Sequence, residues 1–437
     1  MDIFVEVTSL DFEELSQTAP AESSAAVKER VDQARAIQNK RLADTGCVEF
    51  VAEPYAHSLA SLNDPEEFAE QIKVECEKLH TLLGVKPKVL RNTELIYCDD
   101  LAPQILALGF KGVITEGAKH ILGWKSPNYV YSAATAPKLK LLLKNSKLSD
   151  DISFRFSDTS WPEYPLTADK YIDWIASTPA DEQIINLSMN LETFGGLQPA
   201  NSGIFQFLEA LPRFAHERGI EFCTPSEAIS KLKAVSELSV VHPISGADEA
   251  RDTSAWLGNQ LQNEAFNKLY SVAERVRLCT DRRLKQDWWY LQASDHFYYM
   301  STKHLADGAV HSLFSPYETP FQAFTNYMNV LADFIVRVEE QYPLSIENEE
   351  LNSLLTTIRN QAAEIETLNK EVNSMRKNIE QFNVEHALRE PKPEAKATTE
   401  KAPKAKATAE KAPKAKAAAK KAPAKAKKTT EKKDAAK

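Results

Sequence analysis

The sequence has no stretch of about 20 uncharged apolar residues, so a membrane-spanning helix is excluded. It opens Met1-Asp2-Ile3-Phe4-Val5-Glu6, without the basic region and apolar core of a secretory leader. A cytoplasmic protein is expected. Cysteine is scarce: Cys47, Cys76, Cys98, Cys223 and Cys279 are odd in number, scattered and never spaced Cys-x-x-Cys. That excludes a disulfide framework and a zinc ribbon, and no His spacing suggests another metal. No cofactor is called for. From residue 391 onward the chain also lacks aromatic and branched aliphatic residues, so this segment has nothing to bury and is expected to be disordered.

What is present divides the 437 residues into unlike parts. With 43% hydrophobic and 26% charged residues the chain is globular in composition. Its net charge of −9 is a sum of opposites: residues 391–437 hold 16 lysines and five acids, net +11, and the preceding 390 residues carry −20. Within the tail, Glu400 to Thr408 recurs as Glu410 to Ala418 with one change, a Lys/Ala/Pro repeat suited to non-specific binding of polyanions by counterion release, or to solubilising the chain. Upstream, Leu351, Leu354, Ile358, Ile365, Leu368, Val372, Met375, Ile379 and Phe382 keep a 3-4 alternation. Residues 347–386 therefore read as a coiled coil making a homo-oligomer, with Glu371 and Arg376 at g and e positions; a long helix folded back on the body is the other reading.

The body divides again. Over 1–235, β-rich runs (Ile3–Val7, Val48–Ala52, Val89–Tyr97, Gly112–Thr115, Ile152–Phe156, Ile184–Leu191, Ile220–Cys223) alternate with amphipathic stretches. Some seven parallel β/α units predict an α/β fold closed as a barrel. Over 250–342 strand signals vanish, and Trp256–Val276 and Phe321–Val338 carry helical spacing, so a helical subdomain is expected. Barrel sites lie where strands end. Acids stand there: Glu53, Glu116, Asp158 and Glu192, with Tyr55, Trp124, Tyr129, Tyr131, Trp161, Tyr164 and Phe194 nearby. Carboxylates with aromatic faces suit sugar chemistry, although acids also cap strand and helix ends for purely structural reasons.

Four segments resemble the conserved regions of glycoside hydrolase family 57 in its α-amylase branch. They are Thr45 to Leu59 (TGCVEFVAEPYAHSL), Thr115 to Asn128 (TEGAKHILGWKSPN), Met189 to Gly195 (MNLETFG) and Gln292 to Met300 (QASDHFYYM), similar to its second to fifth regions in order. The resemblance covers roughly 1–340. It implies a (β/α)7 barrel with a helical bundle, and retaining cleavage of α-1,4-glucan by two carboxyl groups about 5 Å apart. Glu116 takes the nucleophile position. The acid of the family is the Asp of a Met-Asp-x-Glu-Thr-Phe-Gly stretch, and here Asn190 stands in its place, an amide that cannot deliver a proton. A substrate-binding role is implied for Glu49, Glu53, His57, Trp124, Glu192, Asp295 and His296.

The family's opening His-Gln-Pro strand has no counterpart, so a barrel short of its first β/α unit, with exposed strand edges, is expected. Other readings stay open for single residues. Glu192 could replace the missing acid or serve a subsite on the same strand face as Asn190, which could itself be a packed strand residue. Asp295 and His296 could cap a helix, Trp288 and Trp289 could be core or sugar platform, and His57 and His120 could be structural. Two functions follow: an α-glucan hydrolase with impaired or lost acid catalysis, or a non-catalytic α-glucan- or maltooligosaccharide-binding scaffold. A third makes the basic tail the main functional element.

Overall fold

The computed structural model describes residues 39–303 and 315–341, the backbone of residues 2–8, and scattered residues between 354 and 375. Five strands in these residues build a parallel sheet whose neighbours follow the order β2 (Val89–Arg91), β3 (Gly112–Glu116), β5 (Lys140–Lys144), β6 (Ile184–Asn190), β1 (Asp2–Thr8), with β7 (Glu221–Phe222) beyond β1. β4 (Tyr131–Ala133) pairs antiparallel with β5 off this path and parallel with β8 (Glu237–Leu238).

Ala52 adds one more parallel bridge, to Leu90 on the outer side of β2. The described residues thus supply seven parallel staves: the Ala52 segment, β2, β3, β5, β6, β1 and β7. The two outer staves meet through side chains. Glu49 accepts hydrogen bonds from the Ser226 N–H at 2.7 Å and from Ser226 Oγ, at the start of the helix Pro225–Lys231 that follows β7. A sheet of this size with right-handed twist curls toward closure. The expectation of a missing stave is corrected here, because β1 pairs with β6 over all seven residues, Asp2 opposite Ile184 and Thr8 opposite Asn190, and fills the place before β7.

Alternation along the strands sorts the side chains. Val89, Ile114, Leu142 and Ile184, one from each of β2, β3, β5 and β6, form one apolar cluster with Ala228 and Ile229. Residues two further along point the same way. Above that floor come Arg91, Glu116, Lys144 and Asn186, a polar layer at the strand ends. The intervening residues face outward: Val113, Leu141 and Leu143 join the main core, while Ile185, Leu187 and Met189 pack under the helices Ala168–Ala176 and Ile204–Glu217.

Three strand readings differ from the structure. Ile152–Phe156 belongs to the end of the helix Ser146–Ser153 and the turn after it, whose start is capped by Asn145 accepting from Leu148 N–H. Val89–Tyr97 is a strand only as far as Arg91, and Val48–Ala52 is reduced to the Ala52 bridge. β5 was not foreseen, because Lys140-Leu-Leu-Leu-Lys144 has no alternation; its leucines are buried on both faces, as in a parallel strand covered on each side.

The named elements among the described residues of 254–341 are helices: Ser254–Leu257, Gln260–Tyr270, Ala273–Leu278, Arg282–Leu291, Ser294–Tyr298 and Pro320–Gln341. Trp256, Phe266, Trp288 and Phe334 share one apolar cluster with Ala52, Leu90, Val113 and Leu141 of the barrel. Trp288, 2% exposed and stacked on Phe334, is core; Trp289 meets the edge of Tyr55 at 5.1 Å. Among the described residues no helix is long and apolar enough to cross a membrane. Residues 1–346 form one compact unit and 347–437 a second. In the latter the described residues are helical, and Leu354, Ile358, Ile365, Leu368, Val372 and Met375 are all exposed. Leu351, Glu371, Arg376, Ile379, Phe382 and the basic tail lie outside the described residues.

Candidate active site

Glu116 closes β3. Its side chain is fully buried at the top of the barrel, opposite Lys144 in the β3–β5 register. Gly117 lets the chain turn there, since a Cβ would collide with the Lys144 carbonyl and Pro127. Oε1 accepts a hydrogen bond from Ser146 Oγ, the first residue of its helix. Oε2 accepts none and faces Arg251 Nη1 at 3.7 Å. Asp150 ties both neighbouring cations together, at 3.5 Å from Lys144 and 3.1 Å from Arg251. Two basic side chains and two carboxyl groups therefore share one largely buried pocket. Burial raises the Glu116 pKa above the usual carboxylate range, against the pull of Lys144, Arg251 and the Ser146 hydrogen bond.

A second group of charges lies around His57. The Ser58–Ala293 bridge and the Ser294 N–H donated to the His57 carbonyl at 3.1 Å fasten the segment after Ala52 to the start of the helix Ser294–Tyr298. Behind that seam sits a buried network in which Gln71 Nε2 and Gln292 Nε2 each donate to Glu67 Oε1 at 2.8 Å, and Tyr270 and Ser58 hydroxyls complete the glutamine oxygens. His57 Nε2 meets Glu94 Oε1 at 3.2 Å. Burial works against charge on this ring, but the Glu94 hydrogen bond and the charges of Glu94, Glu53 and Asp295 lift its pKa to about 9, so it is an imidazolium at neutral pH. Glu192 is raised mainly by burial and further by Glu94 and Asp295. Glu75 is pushed to about 7 by burial and by Glu53.

The structure thus brings Glu53, His57, Glu192 and Asp295 into one electrostatic neighbourhood. Glu53 also pairs with Arg91 at 3.2 Å. Glu94 belongs with them and was missed, because Val89–Tyr97 reads as one strand. Instead the chain turns through a single 3-10 turn in which Glu94 and Leu95 hold φ of +52° and +59°, and His57 across from it holds +47°. Non-glycine residues in this region store strain, which concentrates at functional sites. The turn also reaches Glu116's strand: Thr115 Oγ1 donates to the Leu95 carbonyl at 2.8 Å.

Other candidates lie apart. Glu49, read as a substrate contact, is placed where it accepts from Ser226 and joins the outer staves. Asp158 ends no strand; it caps a turn by accepting from Ser160 N–H at 2.8 Å. His296 Nε2 is bonded to the Tyr290 carbonyl at 3.0 Å and its ring packs on Tyr327, so it braces the helices. Trp124, 93% exposed, follows the short helix Lys119–Leu122 at the Gly123 turn. Asn190 is the exposed last residue of β6, four residues past the Asn186–Lys144 pair. Glu192 lies in the 3-10 turn Leu191–Thr193, so it does not share a strand face with Asn190. Among the described residues no group of three or more His, Cys, Asp or Glu is placed to hold a metal.

Residues 24–241, which carry the Ala52 segment, the turn with Glu94, Glu116 and Asn190, match the family model of glycosyl hydrolase family 57. The chain belongs to glycosyl hydrolase family 57. A relative in Methanocaldococcus jannaschii, named "Putative alpha-amylase", is 44% identical over 313 residues, 69% of this chain. The chain spans 66% of that relative's length. Among solved structures, the GH57-type branching enzyme of Pyrococcus horikoshii superposes with a TM-score of 0.55 at 14% identity, over 76% of this chain and 73% of its own. The 4-alpha-glucanotransferase of Thermococcus litoralis gives 0.55 at 13% identity, over 80% and 60%. At such identities these two speak for the family-57 fold, a (β/α)7-type barrel with helices.

Proposed function

We propose that this family-57 protein acts on α-1,4-glucan with Glu116 as the nucleophile of a retaining displacement, and that its acid catalysis is impaired because position 190 holds an amide. The observation that carries the reading is the state of Glu116: buried at a strand end, one oxygen anchored by Ser146, the other without a hydrogen bond, two cations beside it. An anionic oxygen with a free lone pair is what attack on an anomeric carbon requires. The alpha-amylase name of the relative and the glucanotransferase among the structural neighbours support α-glucan as the substrate class. Glu53, His57, Glu94, Glu192 and Asp295 supply hydrogen-bonding groups for sugar hydroxyls, and Trp124 a ring face.

The test is an aryl α-maltoside with a good leaving group, which departs with little protonation. Aryl release by the full chain that disappears in Glu116→Gln is the expected result. No release from either protein, with glucan retained on an affinity gel, would establish the second reading, a glucan-binding scaffold. That reading is favoured by the exposure of Asn190 and by the apolar helical stripe beyond residue 347. We assign residues 347–386 to a homotypic coiled coil, since its described apolar positions, Leu354 through Met375, are 40% or more exposed on helical backbone. Sedimentation of the full chain against a version ending at residue 346 checks this. Residues 391–437 are assigned to weak polyanion binding, to be lost on their deletion and at raised salt. The free state of all five cysteines suits a reducing, cytoplasmic setting.

A further inference from the structure

The side chains facing Glu116 all lie outside the four motif segments, and Arg251 is the one furthest from it along the chain. Arg251 stands in the irregular stretch between β8 and the helix Ser254–Leu257. That stretch is fastened from several sides: Gly246 N–H donates to the Glu94 carbonyl at 2.7 Å, Ser245 N–H to the Arg251 carbonyl at 3.2 Å, Ser245 Oγ to the Asp252 carbonyl at 2.6 Å, and Asp248 pairs with Lys303 at 2.5 Å. Arg251 Nη1 also donates to the Gly246 carbonyl, and Nη2 to Asp150 Oδ2 at 3.1 Å. Two of its non-glycine residues, Asp248 and Arg251, hold φ of +56° and +51°, a conformation L residues adopt at a cost. The strained backbone and its ties deliver one guanidinium to Glu116.

The two oxygens of that carboxylate are unlike. Ser146 engages Oε1, whereas Oε2 is buried, takes no hydrogen bond, and lies 3.7 Å from Arg251 Nη1, within ion-pair range but beyond hydrogen-bond reach. A hydrogen bond would tie up the lone pair that must attack; a charge just outside that distance favours the ionised carboxylate and leaves the lone pair available.

We propose that Arg251 is a positioning residue for Glu116, presenting Oε2 as the attacking oxygen and favouring its return to a carboxylate in the second step. The inference rests on Glu116 being the nucleophile. In the first step an Oε2 lone pair forms the C1–Oε2 bond while the C1–O bond to the leaving group breaks, its electron pair going to the leaving oxygen. In the second, a water oxygen bonds to C1, the C1–Oε2 pair returns to Oε2, and the water proton passes to solvent. While the ester exists, the guanidinium has lost one anionic partner and keeps only Asp150, so its charge speeds ester breakdown more than ester formation. The groups facing Glu116 are Lys144 from β5, Ser146 and Asp150 from the helix after it, and Arg251.

The test uses the full-length protein, Arg251→Met and Arg251→Lys, with an aryl α-maltoside and, separately, a carboxyl 13C NMR titration in which Glu116→Gln identifies the Glu116 signal. In Arg251→Met the steady-state aryl release should fall at least tenfold while the initial burst persists, and Glu116 should titrate at higher pH. Arg251→Lys, which keeps the charge, should recover part of both. If Arg251→Met does not fold, Arg251→Gln takes its place. Unchanged titration together with unchanged turnover overturns the inference. If the wild-type chain releases no aryl group at all, the reading of Glu116 as nucleophile fails, and the titration alone decides whether Arg251 governs its ionisation.

Discussion

Glu116 and Asn190 end two parallel strands of one barrel in opposite surroundings. The first is sealed among Lys144, Ser146, Asp150 and Arg251, with its charge matched inside the protein. The second is exposed at the tip of β6. A buried group is defined by its partners and tolerates little change, whereas an exposed one can be exchanged without disturbing the fold. Position 190 is therefore where chemistry can be altered at small structural cost, and position 116 is where it cannot.

The largest expected effect tests that contrast directly. Asn190→Asp should raise cleavage of maltoheptaose, followed by new reducing ends, by about 10²–10⁴-fold, the range supplied by a positioned general acid. No gain would show that more than the proton donor is missing. Next, Glu116→Ala leaves Lys144 and Arg251 with Asp150 alone, and removing one partner of a buried ion pair costs about 3–5 kcal/mol. Asn190→Ala should stay within about 0.5 kcal/mol, as exposed substitutions do. Urea unfolding of both reads the difference, and equal losses would break the comparison.

His57 gives a pH signature. Its folded pKa of about 9 lies above the unfolded 6.5, so the stability it contributes is fully present below pH 6.5 and is lost as pH rises through 9. The full shift corresponds to at most about 3 kcal/mol. The gap in unfolding free energy between wild type and His57→Gln should narrow over that window, and a gap constant from pH 6 to 10 would rule the imidazolium out. Gln292→Ala should cost about 2 kcal/mol by removing one donor to Glu67 and leaving the buried Tyr270 hydroxyl without its acceptor, measured by thermal unfolding. Smallest is Trp124→Ala, within about 0.5 kcal/mol in stability but with weaker retention on a glucan gel.

How much of this was legible depends on whether the signal is local. β3 and β6 stood out because short apolar runs end in polar residues, which made Glu116 one of several acids at such ends; only the family resemblance singled it out as the nucleophile. β5 did not, since three leucines buried on both faces carry no period. Ile152–Phe156 misled because the pattern of a helix end, Ile-Ser-Phe-Arg-Phe, alternates like a strand. Glu94 was hidden inside the run Val89–Tyr97, where only left-handed backbone at Glu94 and Leu95 separates a turn from a strand. Arg251 had no periodic context at all. It reaches Glu116 on a segment tied to Glu94 through Gly246, to Asp150 through its own guanidinium and to Lys303 through Asp248, contacts that span up to 152 residues of chain and leave no mark on local sequence.

The pairing of β1 with β6 sets an order of events. Asp2 lies opposite Ile184, so β1 has no β6 partner until about 180 further residues have been synthesised. At 5–20 residues per second that delay is roughly 10–40 s. Closing so long a loop is slow compared with the local β2–β3 and β3–β5 pairings, which can form first and present a growing sheet. β1 then joins only once β6 exists, and β7, which pairs with β1, follows it. A chain lacking β1 could keep the β2–β3–β5–β6 sheet while leaving the edge of β6 open to strands of other molecules.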